Sequence, residues 1–208
     1  MGNKISEDAQ VTFLLSAFQE SIGMLRHYDN QIIKITSFAV SCFFILISAE
    51  WIIYNQFHVL YPDIVYLFMA SLLLFGTLIG MFLSYFMVRN RVYFGYVARN
   101  VNEIRSFFLT SKIEGYENVS GMWTEYREFP FYNPASSQMA LLKLVLLKTS
   151  IAFGASVGFV LIQYGVNTAL SISGATLLII ISIITGIRWS KKHLEGKSKE
   201  SPDKGTFK

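Results

Sequence analysis

Few residues of this 208-residue chain combine a type and a setting that could do chemistry. Glu50 stands inside an apolar run, where a carboxylate is expensive and by default marks an ion path, a relay or a buried partner. It lies one turn from Tyr54, near the end of that run, so a second reading is that it simply reaches water. Gly76 and Gly80 form one GxxxG pair, and Gly154 and Gly158 form another in a separate run. Small residues at this spacing let helix backbones approach closely, and such packing drives association in lipid. They can join two hairpins or two subunits. Trp123, Tyr126, Phe129 and Tyr132 crowd with Tyr116 and Phe131 into one connection. So dense a group of rings beside a membrane suits an interfacial belt or a cap. A ligand platform is the sharper reading, since bases stack on such rings, although no glycine-rich phosphate loop or arginine cluster accompanies them in sequence.

Other familiar constellations are absent from the sequence. His27, His58 and His193 lie in separate regions without the paired spacing of a metal site. No serine sits in a nucleophile elbow and no phosphate-binding loop is present. Cys42 is the only cysteine, so a disulfide framework is excluded. The chain is not expected to be an enzyme, to carry a cofactor or metal, or to bind nucleic acid directly. Met1-Gly2 with Ser6 fits the permissive myristoylation pattern, an anchor that a multi-span chain does not need.

The elements that must position these residues are membrane spans. Charged residues make up 15% of the chain, against about a quarter in soluble domains, and they are nearly missing from four blocks. A span needs about 20 apolar residues. The blocks run from about Ile33 to Tyr54, Ile64 to Val88, Leu144 to Ile162 and Val166 to Ile187. The connections at 55–63 and 163–165 are short, so the spans form two antiparallel hairpins. The polar first 30 residues hold no signal peptide, so the first span is expected to direct its own insertion.

All 18 basic residues avoid both short connections, which hold only His58 and Asp63 as ionisable groups. Lys34 stands at the very edge of span one, and Lys148 sits one turn inside span three, from where it can snorkel. The positive-inside rule then places both hairpin tips outside and both termini in the cytoplasm. The basic balance thus reads as anchoring at an anionic inner leaflet.

The expected architecture is an all-α membrane protein: four transmembrane helices as two hairpins, with a cytoplasmic helical stalk. It divides into a cytoplasmic amphipathic helix (1–31), hairpin one (32–88), a cytoplasmic helix with the aromatic connection (89–143), hairpin two (144–187) and a basic tail (188–208) expected to be disordered beyond His193. Val11, Leu15, Phe18, Ile22 and Leu25 make one apolar seam. Phe94, Val97, Val101, Ile104 and Phe108 make another, with Arg99, Asn100, Glu103 and Arg105 off it. These stretches pair as a stalk, within one chain or between subunits. Asn133 and Pro134 suit the cap of the helix entering span three. Ser171, Gly174, Leu178, Ser182 and Thr185 form a weakly polar stripe on span four, suited to packing.

The polar run Arg26-His27-Tyr28-Asp29-Asn30-Gln31 entering span one, and the charged helix with Tyr93, Ala98, Arg99, Glu103, Ile104 and Arg105 leaving span two, carry a resemblance. Over roughly residues 6–112 this layout resembles the small multi-pass effectors of bacterial anti-phage systems, including SLATT-type and retron-associated or Kiwa-type membrane proteins. SLATT-type proteins typically have two spans, so the second hairpin is a departure. The resemblance implies a homo-oligomer of the inner membrane that senses infection or permeabilises the bilayer, governed by a cytoplasmic protein partner. A scaffold or subunit of a transport or envelope complex is the alternative.

Overall fold

The structure, a computed structural model, describes residues 7–110 and 129–200. Among them are helices and turns only: α1 (Glu7–Phe57), α2 (Val65–Thr110), α3 (Ser137–Gln163) and α4 (Thr168–Glu200). Each is long and apolar enough to cross a membrane. At ~1.5 Å per residue, the 51 residues of α1 and 46 of α2 far exceed a hydrocarbon core of about 30 Å. Both helices therefore continue well past their apolar halves.

The turns explain the helix ends. Ahead of Pro62, the Tyr61 N–H donates to the Phe57 carbonyl at 2.8 Å. Gly165 has φ 78°, a geometry that glycine adopts without Cβ strain, and its N–H donates to the Ile162 carbonyl. Asn167 then accepts the Ala169 N–H at 2.8 Å, opening α4. The cap of α3 is Ser136, whose hydroxyl accepts the Met139 N–H, and not Asn133 and Pro134 as expected. Serine offers the first turn an acceptor that proline lacks.

The chain separates into two compact units. Unit 2 comprises Ile32–Arg89 and Pro134–Lys192. Its α2 and α3 spans are the inner helices, 33% and 39% buried, while α1 and α4 flank them at 17% and 11%. Leu46 of α1 packs at Gly76, Thr149 of α3 packs at Gly80, and Ile179 of α4 packs at Gly154. Ser156 donates to the Ala70 carbonyl across α2 and α3, and Gln163 donates to the Asp63 carbonyl, tying the two hairpin tips together.

Unit 1 comprises residues up to Gln31, Asn90–Asn133 and the segment from His193. Here the N-terminal half of α1 pairs with the C-terminal half of α2 within one chain. Tyr28 stacks on Tyr93, Asn90 donates to the Tyr28 carbonyl, and Asn100 donates to the Ser21 hydroxyl. The contact face of α1 is turned from the expected seam: Leu14 is 5% exposed whereas Leu15 is 50% and Val11 38% exposed. The Ser21–Asn100 bond lies on this contact face, and a hydroxyl is invisible to a search for apolar spacing. Arg99, expected off the seam, is buried.

The tail is a further correction. Beyond His193 the chain stays helical to Glu200, Leu194 is fully buried and Ser198 is held by Arg99. Its Lys, Ser and Glu residues are the exposed side of a helix, supported by the Lys197–Glu200 pair.

Candidate functional site

In unit 2 the two glycine pairs serve contacts within the chain. A Cβ on Gly154 would meet the Ala175 carbonyl oxygen at 2.7 Å, a backbone atom that has no room to yield. One on Gly80 would run into Thr149, which is buried and β-branched. Gly76 faces the flexible end of Leu46, and Gly158 faces the Ala175 methyl at an added-Cβ distance of 3.3 Å. The least yielding approaches thus join α2 to α3 and α3 to α4.

Glu50 is 8% exposed, and neither carboxylate oxygen has a hydrogen-bond partner. It stands seven residues before the end of α1, about 10 Å along the axis. In this single chain the carboxylate does not reach water. Lys148 is another charge set inside a span, with its ammonium 5.5 Å from the Phe43 ring centre and 5.6 Å from that of Phe44. That cation–π setting is favourable where water is scarce. The two phenylalanines lie about two turns along α1 from Glu50, roughly 10 Å. Its position a full turn inside a span was the signal for Lys148 in the sequence.

A groove of about 730 Å³ runs between α2, α3 and α4. Hydroxyls border it, but most are spent: Thr77, Ser84 and Thr149 donate to their own helices, and Ser150 donates to Ser182 at 3.0 Å. What remains open is largely apolar, with Leu146, Phe153, Leu178 and Ile181 among the walls. Of the weakly polar stripe on span four, Ser171 is fully buried, Ser182 makes this bond and Thr185 faces the groove.

In unit 1 the chemistry is of another kind. Arg91 donates through Nε to the Phe131 carbonyl (2.9 Å) and through Nη2 to that of Pro130 (3.2 Å), with the Phe129 ring centre 4.8 Å away. Arg99 donates to the Phe129 carbonyl and to both Ser198 oxygens, at 3.0 and 2.6 Å, while its guanidinium lies 4.5 Å from the Phe131 ring centre. Phe131 is fully buried, and ring atoms within 2.6 Å of where a Cβ would sit explain why position 95 is glycine. Burial pulls Arg91 down to about 10, with Asp29 acting the other way, so it stays cationic at neutral pH.

Of the aromatic group singled out in the sequence, Phe129 is engaged by Arg91 and Phe94, and Tyr132 is half-buried. Trp123 and Tyr126 lie outside the described residues. Arg91 and Arg99 were missed because their partners are backbone carbonyls 30 to 99 positions away. Among the described residues no group of three or more His, Cys, Asp or Glu is placed to hold a metal ion. Comparison with protein-family models, with curated proteins and with solved structures gives no match.

Proposed function

We propose that this chain is an oligomeric inner-membrane effector or sensor of anti-phage defence, acting without chemistry of its own, by permeabilising the bilayer or relaying a signal. In this reading unit 1 and both termini are cytoplasmic, and a soluble protein partner acts on unit 1. The observation that carries the proposal is Glu50, a buried carboxylate with no partner inside a span. Such a group is retained against a cost of several kcal/mol only where it is used. Assembly would give it a partner or a water path, and the flanking helices α1 and α4, with little of their spans buried, supply apolar faces for assembly. The layout resemblance to anti-phage membrane effectors supplies the biological setting.

The test is membrane potential, read with a voltage-sensitive dye in bacteria during induced expression, with and without phage. Wild type is expected to depolarise the cells and Glu50→Gln to leave the potential steady at equal membrane abundance. A strictly monomeric protein in mild detergent, together with an unchanged potential, would refute the proposal. The low burial of α1 and α4 also favours a second reading, a scaffold in a transport or envelope complex. That reading predicts a steady potential and co-purification of integral membrane partners.

A further inference from the structure

We propose that the groove between α2, α3 and α4 binds one acyl chain of an anionic phospholipid, whose headgroup is held by Lys192 and Arg188. The inference rests on the four membrane-spanning helices and not on the effector reading.

Three observations carry it. The groove, at about 730 Å³, falls within the roughly 300–1,000 Å³ range of ligand pockets. Its bordering hydroxyls are mostly bonded to their own helices or to one another, so they ask nothing of an occupant. A hydrocarbon chain is therefore matched by the walls, whereas a polar ligand or an ion would find few free partners.

The second observation is the end of the groove. Trp189 lines it and is 43% exposed, a residue type favoured at the level of lipid headgroups. Among the lining positions on α4, Leu178, Ser182, Thr185 and Trp189 follow one helical face, and the same spacing continues to Lys192. Lys192 is exposed, and Arg188, also exposed, lies one turn before it.

The third observation is charge. No Asp or Glu lines the groove, and the helix segment 188–192 holds Arg188, Lys191 and Lys192 without an acid. A phosphate at this end meets Arg188 and Lys192 first, and the nearest acid along α4 is Glu195, one turn beyond Lys192. A zwitterionic lipid would fit the same walls, but its amine would face these cations, and that sets the preference. The α4 helix of a second copy, lying parallel at the same depth, would bring its own Arg188, Lys191 and Lys192 against these cations.

The experiment uses Trp189 as its reporter. In a Trp51→Phe, Trp123→Phe background, the full chain is reconstituted in vesicles containing either brominated phosphatidylglycerol or brominated phosphatidylcholine at equal mole fraction. Bromine on the acyl chain quenches a neighbouring indole. The anionic lipid is expected to quench as though enriched about five-fold or more, the effect of one cation at an anionic surface. Arg188→Gln with Lys192→Gln should equalise the two lipids, and Thr185→Phe, at an exposed position on the groove wall, should weaken quenching by both. Equal quenching of the parent protein by the two lipids would overturn the proposal. So would a preference that survives the Gln variants, or weak quenching by both lipids from a second copy filling the groove.

Discussion

The two units of this molecule hold their helices together by opposite means. Unit 1 uses long polar side chains: Arg91 and Arg99 reach distant carbonyls, Asn90 and Asn100 cross between helices, and rings stack around the guanidiniums. Unit 2 uses small residues: glycines let neighbouring helices close in, and its interhelical side-chain bonds come from single hydroxyls or, at the tips, one glutamine. The difference follows from solvent. In water the hydrophobic effect drives helices together and buried polar groups fix how they meet. In lipid that force is missing, so close packing must supply the adhesion.

That contrast can be broken by substitution, and the largest effect is expected in unit 1. Arg99→Ala removes a fork that satisfies the Phe129 carbonyl and both Ser198 oxygens, and should cost about 3 kcal/mol. Thermal unfolding and limited proteolysis near Ser198 would read it. Arg99→Lys should recover only part, since an ammonium lacks the planar fork. Next is Gly154→Ala, expected to cost about 2 kcal/mol because its methyl meets the Ala175 carbonyl. Gly158→Ala should cost less than about 1 kcal/mol, its neighbour being a methyl that has to give by only a few tenths of an ångström. Smallest is Ser150→Ala, which removes the bond to Ser182 at about 0.6 kcal/mol, typical of such bonds in membranes. Unfolding in mild detergent would rank the three. A Ser150→Ala effect exceeding that of Gly154→Ala would mean that hydroxyl bonds, not close packing, hold unit 2.

What could be read from the sequence follows the same division. The spans were legible because lipid demands about 20 apolar residues in a row, and the short tips because no basic residue enters them. The glycine pairs were legible as packing sites, but not their partners, since Thr149 and Ala175 carry no marker. Glu50 stood out by type, while its burial depends on neighbours that periodicity does not name. Unit 1 was harder. Its α1 contact face includes Ser21 and its tail is held by Leu194 and Ser198, all ordinary in composition. The aromatic connection did have arginines beside it, but they come from α2, 30 and 40 positions earlier in the chain.

The proposed function places both hairpin tips outside and both termini in the cytoplasm, as the distribution of basic residues implies. Single cysteines in a Cys42→Ser background test it directly, labelled in spheroplasts with a membrane-impermeant maleimide. Val59 and Tyr164 are exposed tip positions, 74% and 76%, and Gly23 and Gly196 have open space where a side chain would sit. The account predicts that Val59→Cys and Tyr164→Cys label in intact spheroplasts, and Gly23→Cys and Gly196→Cys only after lysis. Labelling of Gly23→Cys before lysis, or of only one tip, would contradict it.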